Sequence, residues 1–217
     1  MKTTPFTKTY GGVTVLTMPS FELQPGTVTA VIGANGSGKS TLAKVLAGIE
    51  PADKKTRAKL GARVGYLPQK SFAFRMRVQR NLRLNGTDEA RMAHLTGALA
   101  LTPLLKRGAK RLSGGETQKM ALARLLMADY DVLILDEPTA AMDMESTLAA
   151  EGLIREACGK TGCAVLLVTH SLAQAERLAD RVLFLRKGQL LEQGDAKAVL
   201  TSPKEAETKA FLEFYGK

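Results

Sequence analysis

The sequence has few cysteines and no long apolar run, and each of these shortages excludes a class of protein. Its 217 residues include only two cysteines, Cys158 and Cys163, with no further cysteine or histidine close by. That number excludes a disulfide-stapled fold and a structural zinc set, so we interpret both as reduced, small apolar residues. No window is long and apolar enough to cross a bilayer, and the first twenty residues contain no stretch typical of a signal peptide. We therefore expect a cytosolic chain unless a partner carries it to a membrane.

Acidic residues are scarce relative to basic ones. The chain has 21 Asp and Glu against 31 Lys and Arg, a net charge of +10. Two stretches hold much of the excess: Lys54, Lys55, Arg57, Lys59 and Arg63, then Arg75, Arg77, Arg80 and Arg83. Such a surface fits anionic lipid headgroups or nucleic acid, and it equally fits a solvated face that keeps the protein soluble. The remaining composition, 45% apolar and 24% charged, is that of a globular protein and excludes disorder.

Apolar runs alternate with helical patterns along the chain. Strands are predicted at 27–32, 132–135 and 164–168, and helices at 40–47, 116–128, 145–158 and 172–179. Two of the strands are apolar throughout, which is typical of strands buried on both faces of a parallel sheet. The order predicts a single α/β domain whose ligand lies at the carboxyl ends of the strands. We also predict a helical insertion at 70–112, a hairpin at 182–192, and a last helix that begins at Ser202-Pro203.

A glycine-rich loop follows the first of these strands and leads into a helix. It fits the pattern G-x-x-x-x-G-K-[ST] and comprises Gly33, Ala34, Asn35, Gly36, Ser37, Gly38, Lys39 and Ser40, followed by Thr41. Glycines allow successive backbone N–H groups to turn toward a phosphate chain. Lys39 can reach the β- and γ-phosphates, and the Ser40 hydroxyl can bind Mg²⁺. The loop therefore predicts that the chain binds a nucleoside triphosphate.

Two carboxylates end the strand at 132–135. Asp136 and Glu137 come directly after an apolar run, where a parallel sheet places them beside the phosphate loop. Asp136 is suited to the metal, held directly or through water, and Glu137 to the water that attacks the γ-phosphate. The same residues also fit an ordinary acidic turn after a strand, an interpretation that the phosphate loop makes less attractive.

The segment from Ser113 to Glu116 identifies the family. Ser113-x-x-Glu116 is a capping box, and Gly114 and Gly115 expose the N–H groups at the start of the helix to an anion. The string LSGGE resembles the signature motif of the ATP-binding cassette family. The resemblance covers essentially the whole chain and implies a P-loop NTPase core at 1–69 and 113–217, with a mostly parallel sheet. It also implies a small antiparallel subdomain and a helical subdomain at 70–112.

Four further residues match other motifs of that family in order and spacing. Gln69 matches the Q-loop, Asp143 the D-loop, and His170 the switch histidine. Tyr10 stands where the family places an aromatic residue that stacks on adenine. The resemblance implies that Gln69 binds the metal or the attacking water, that His170 reaches the γ-phosphate, and that Lys39, Gln69, Glu137 and His170 form the catalytic set.

The resemblance also implies the partners. Two copies face each other head to tail, and Ser113, Gly114, Gly115 and Glu116 of one chain meet the ATP held by the other. Separate membrane permease subunits dock near Gln69, so the chain is expected as a peripheral subunit at the cytoplasmic face of the cell membrane. A solute-binding protein is a further expected partner of an importer. We expect import of a small solute, such as tungstate, molybdate or a polar amino acid. Two alternative functions stay open: an exporter or lipoprotein-release ATPase, and a soluble ATPase that acts on nucleic acid or ribosomes. For the favoured importer function we expect no nucleic-acid partner.

The sequence departs from the family pattern in its spacing. Only 30 residues separate Lys39 from Gln69, without the usual glycine-rich hairpin, so we predict a trimmed antiparallel subdomain. Lys119 and Ala140 replace a more usual Arg and Ser, and neither change removes a catalytic group.

Overall fold

An eight-stranded sheet organises the chain, as seen in a computed structural model that describes residues 1–53 and 63–216. The strands are β1 Phe6–Tyr10, β2 Val13–Met18, β3 Val28–Ile32, β4 Val64–Leu67, β5 Val132–Asp136, β6 Ala164–Val168, β7 Arg181–Arg186 and β8 Gln189–Asp195. Their order is β1-β2-β8-β7-β3-β6-β5-β4. The five strands from β7 to β4 run parallel, while β1–β2 and β7–β8 pair antiparallel. The predicted mostly parallel α/β fold is confirmed.

Eight α-helices accompany the sheet in the described residues. They are α1 Lys39–Leu46, α2 Val78–Leu82, α3 Glu89–Ala98, α4 Gly114–Leu126, α5 Met144–Thr161, α6 Leu172–Leu178, α7 Ala196–Thr201 and α8 Ala206–Tyr215. Residues 70–112 hold α2, α3 and two short 3-10 helices, as the helical insertion predicts. The division into subdomains stays a prediction. The described chain has no helix long and apolar enough to span a membrane.

Alternate side chains of the central strands fill two separate cores. In β5, Leu133 and Leu135 pack with α2–α5, whereas Val132 and Ile134 pack with α1 and β2. Both sets are fully buried, because helices cover both faces of the sheet. This explains why four consecutive positions of the strand, before Asp136, are apolar rather than only alternate ones.

The last helix begins later than predicted. Ser202 follows the end of α7, and α8 starts at Ala206. The Glu192 carboxylate accepts hydrogen bonds from the backbone N–H groups of Lys204 and Glu205, at 2.8 and 3.3 Å. These bonds to β8 hold the connection as a turn, so the capping pattern at Ser202 does not open a helix.

The two cysteines are buried and their thiols are free. Cys158 Sγ donates to the backbone carbonyl of Cys163, 3.3 Å away.

Part of the basic sequence lies outside the described residues, namely Lys54, Lys55, Arg57 and Lys59. Residues 54–62 of the interval in which we predict a trimmed subdomain also lie outside the described residues, so that prediction is not tested.

Candidate active site

The candidate site lies where four neighbouring parallel strands end. Strands β3, β6, β5 and β4 are adjacent in the sheet, and they lead into Gly33, Thr169, Glu137 and Pro68. Because the carboxyl ends of parallel strands meet at one edge, the loops that follow them come together. This edge holds a cleft of about 370 Å³, lined in part by Tyr10, Lys39, Ser40, Thr41, Gln69 and Glu137.

The phosphate loop wraps around the start of α1. Lys39 is 6% exposed, and its Nζ donates to the carbonyls of Gly33 and Ala34 at 2.7 and 2.9 Å. Burial lowers the pKa of Lys39, while the nearby carboxylates of Glu137 and Asp136 oppose that shift. The ammonium therefore sits in a site where a further anion would favour its charged form.

Gly33 occupies a position that no other residue fits. Its φ is +146°, and a Cβ there would lie 2.2 Å from the carbonyl oxygen of Leu185 and 2.8 Å from Ser37 Oγ. Ser37 Oγ is itself buried and has no hydrogen-bond partner in the described chain. A cradle this tight, with an unsatisfied polar atom inside, suits a bound phosphate.

Asp136 continues the face of β5 that packs against α1. Its Oδ1 accepts a hydrogen bond from Ser40 Oγ at 3.1 Å, so the carboxylate lies next to the predicted metal-binding hydroxyl. Burial raises the pKa of Asp136, and the Ser40 hydrogen bond partly offsets that shift. A carboxylate and a hydroxyl are hard oxygen ligands that suit Mg²⁺. A bound Mg²⁺ would also favour the ionised form of Asp136.

Glu137 brings together three of the four predicted catalytic residues. Its Oε2 accepts a hydrogen bond from Gln69 Nε2 at 3.0 Å, and its Oε1 lies 3.3 Å from His170 Nδ1. The Glu137 side chain is 13% exposed, whereas that of His170 is 60% exposed. The carboxylate is thus held between two strand ends, and His170 lines a neighbouring pocket that it shares with Glu137.

Tyr10 lies at the rim of the cleft, at the end of β1. Its hydroxyl donates to the Glu50 carboxylate, and Lys8 Nζ lies 4.8 Å from the centre of its ring. Tyr10 is still 43% exposed, and it lines the same cleft as the phosphate loop. It is therefore available as a stacking platform, although Glu50 and Lys8 restrict its orientation.

The signature residues lie outside this cleft. The capping box of α4 forms: Glu116 N donates to Ser113 Oγ at 3.2 Å, and Ser113 N donates to Glu116 Oε2 at 2.7 Å. Asp143 caps α5 in the same way, accepting from Ser146 N at 2.8 Å. Ser113, Gly114 and Asp143 are exposed. Their side of the chain is thus free to meet another molecule.

Gln118 is a site residue that the sequence reasoning missed. It is 4% exposed and bonds to the backbone on both sides of the loop after β5, at Glu137 and Ala141. The signal was present, because Gln118 shares the buried face of α4 with Ala121, Leu122 and Leu125. A glutamine within an apolar helix face must find partners inside the protein.

Three comparisons place this arrangement among known proteins. Residues 16–140 match the family model described as ABC transporter. The zinc import ATP-binding protein ZnuC of Alcanivorax borkumensis is 38% identical over 216 residues, covering 96% of this chain and 80% of the relative. The tungstate uptake system ATP-binding protein TupC of Peptoclostridium acidaminophilum is 35% identical over 200 residues, covering 85% of this chain and 94% of the relative.

A solved structure shares the fold along the full length. It is described as an ATP binding subunit of an ABC transporter, and it superposes with a TM-score of 0.82 at 23% identity, covering 100% of this chain and 99% of the other. The family-model match spans more than half of the chain and includes the phosphate loop, the signature and the end of β5. The chain therefore belongs to the ABC transporter family and is an ATPase of that family.

Proposed function

We propose that ATP binds with Mg²⁺ in the cleft at the strand ends. The phosphates lie in the loop from Gly33 to Gly38 and against Lys39, and the adenine stacks on Tyr10. Ser40 and Asp136 hold the metal, with Gln69 as a further ligand to it or to its water. Mg²⁺ supplies positive charge that offsets the charge of the transferred phosphate. The 3.1 Å contact between Ser40 and Asp136 and the cradle at Gly33 support this assignment.

Glu137 acts on the attacking water. Its carboxylate accepts a proton from the water as the oxygen approaches the γ-phosphate. Gln69 orients the carboxylate through Oε2, and His170 lies next to Oε1, from where it can donate to the γ-phosphate. The convergence of these two side chains on a single carboxylate is the observation that carries the proposal.

A second copy completes each ATP site. Ser113, Gly114, Gly115 and Glu116 of one chain meet the γ-phosphate held by the other, and Asp143 lies at the same interface. The exposed, capped start of α4 supports this, because Ser113 and Gly114 are exposed and the first N–H groups of a helix favour an anion. Hydrolysis removes the shared anion, so the dimer opens and the permease changes state.

The permease docks in a groove beside Gln69. The groove has a volume of about 400 Å³ and is lined in part by Leu67, Phe72, Phe74 and Leu84. Phe72 and Phe74 meet edge to face, and the Arg124 guanidinium lies 5.0 Å from both rings. Exposed aromatic rings beside a groove favour an apolar helix face as the partner.

Charge around the groove favours an acidic partner. Residues 70–112 contain ten Lys and Arg against two Asp and Glu, so they hold +8 of the net charge of +10. Backbone hydrogen bonds from Val78 N to Arg107 O and from Ala109 N to Met76 O join the basic stretches of this segment. Carboxylates flanking the apolar face of the permease helix would complement this charge.

The transport direction is import, and the cargo is a small inorganic ion delivered by a solute-binding protein. The relatives named for zinc import and tungstate uptake support this, since both align over most of their length. Tungstate or a similar oxyanion is our first choice, because the TupC relative is matched over 94% of its length.

The test combines hydrolysis with a matched pair of variants. We expect Glu137→Gln to abolish Mg²⁺-dependent ATP hydrolysis while retaining ATP binding and an ATP-held dimer in size-exclusion chromatography. Glu176→Gln is the control, since Glu176 is exposed on α6 and does not line the cleft. Unaltered hydrolysis in Glu137→Gln would contradict the proposed base.

Affinity purification from native membranes should recover a multi-span protein, and recovery of ribosomes or nucleic acid would contradict the transport role.

A further inference from the structure

Gln118 connects the signature helix to the backbone of the proposed catalytic carboxylate in the same chain. Its Nε2 donates to the carbonyl of Glu137, and its Oε1 accepts from Ala141 N, both at 2.8 Å. The side chain is 4% exposed, so no water competes freely for either bond. Both ends of the amide are thus used on the loop that follows β5.

The residue that it holds has an unusual backbone. Glu137 has a φ of +50°, a conformation that residues with a Cβ disfavour. Its N–H donates to Val168 O of β6 at 2.9 Å, and its carbonyl accepts from Gln118. The peptide groups on both sides of Glu137 are therefore fixed by different elements. Because such a conformation persists only when its surroundings hold it, these bonds, with a weaker one from Ala140 N to the same carbonyl, fix the backbone from which the carboxylate projects.

Gln118 and Ser113 belong to one rigid helix. Gln118 lies five positions after Ser113, the N-cap of α4, which is a rise of about 7.5 Å, and the capping box at Ser113 keeps the first turn formed. A displacement of the start of α4 therefore moves Gln118 with it. The second bond, to Ala141, carries the same displacement toward Asp143 at the start of α5.

We propose that Gln118 is a positioning residue that couples the signature end of α4 to Glu137. This inference rests on the proposed function, in which Ser113 meets the ATP of the opposite chain. When that ATP draws the start of α4 toward it, Gln118 shifts the Glu137 carbonyl. The carboxylate, which already contacts Gln69 and His170, then moves into line with the γ-phosphate in its own site. Nucleotide at one site thereby prepares the carboxylate of the other.

Two substitutions test this role. Gln118→Met keeps the length of the side chain and removes both hydrogen bonds. We expect kcat to fall about 10- to 100-fold, the loss typical of a misplaced catalytic group, with KM for ATP changed less than about twofold. The Hill coefficient for ATP should fall toward 1, because the two sites lose their link.

Gln118→Glu supplies a readout that a purely structural residue would not give. Its carboxylate can accept from Ala141 N at any pH, but it can donate to the Glu137 carbonyl only when protonated. We therefore expect its kcat, relative to that of the unaltered protein, to rise as the pH falls. The ratio for Gln118→Met should stay flat over the same range. This variant also serves if Gln118→Met fails to fold.

Gln174→Met is the matched control for loss of a buried amide. Gln174 is 3% exposed and donates to Thr139 Oγ1 and Glu151 Oε1, without bonding to the Glu137 backbone. We expect it to lower stability while kcat changes less than about threefold. Unchanged kcat and Hill coefficient in Gln118→Met, with normal hydrolysis by the unaltered protein, would overturn this inference alone. Full activity of Glu137→Gln would instead overturn the proposed function on which it rests.

Discussion

Two adjacent glycines at the start of α4 have different surroundings, and the difference predicts opposite effects of the same substitution. A Cβ added to Gly114 would meet no atom within 4 Å. A Cβ added to Gly115 would lie 2.5 Å from the carbonyl oxygen of Ala141. Neither glycine has a positive φ, so backbone strain plays no part.

The pair isolates the cost of the clash. Both Gly→Ala changes lie in the first turn of one helix and gain similar helix propensity, up to about 1 kcal/mol each. Only Gly115→Ala must displace Ala141, and overpacking of this kind costs about 1–3 kcal/mol. The two variants should therefore differ by about 1–3 kcal/mol in the free energy of unfolding. For a chain of this size, that corresponds to a difference of about 2–12 °C in Tm.

Thermal unfolding followed by circular dichroism, without nucleotide, measures this difference directly. Gly114→Ala should unfold at or slightly above the Tm of the unaltered protein, and Gly115→Ala below it. Equal Tm values for the two variants would refute the packing argument. ATP hydrolysis should nevertheless fall in Gly114→Ala, because in the proposed dimer the added Cβ would crowd the γ-phosphate held by the other chain.

Three further predictions concern single side chains. Tyr10→Ala should raise the Kd for a fluorescent ATP analogue about tenfold through loss of stacking, while Tyr10→Phe should change it little; equal effects would exclude stacking. Ser40→Ala should raise the Mg²⁺ concentration that half-activates hydrolysis about tenfold, and an unchanged Mg²⁺ titration would remove Ser40 from the metal site. The backbone N–H of Ser113 holds the pKa of Glu116 below its ordinary 4.5, so its stabilisation is present above that pH and is lost as the pH falls through the lowered pKa. Glu116→Gln should therefore lower Tm at pH 7 and flatten the acid dependence of Tm, and an unchanged acid profile would contradict this account.

The central elements could be predicted because local and global signals agree. Apart from Asp136 at the end of β5, strands β5 and β6 are apolar at every position, and the structure buries both faces of each. The loop after β3 and the capping box at Ser113 depend on residues that are close in sequence, so their geometry is encoded locally.

The features that could not be predicted from the sequence depend on contacts between residues that are distant in sequence. The pattern at Ser202 fits a helix start, but Glu192 of β8 binds the following N–H groups and delays the helix. The contact of Tyr10 with Glu50 spans 40 residues, and that of Gln118 with Glu137 joins a helix to the end of a strand. Such pairs arise from the packing of whole elements, which a motif does not record.

The alternation of side chains along β5 has a consequence for how this protein can change over time. Asp136 and Glu137 differ by one methylene, yet the pleat sends the first toward Ser40 and leaves the second between Gln69 and His170. Deleting one residue from the strand would exchange which core each apolar side chain enters. It would also bring Glu137 to the position beside Ser40 and move Asp136 to the position of Leu135, in the apolar core on the opposite face. Insertions and deletions in β5 should therefore be far less tolerated than substitutions of one aliphatic residue for another.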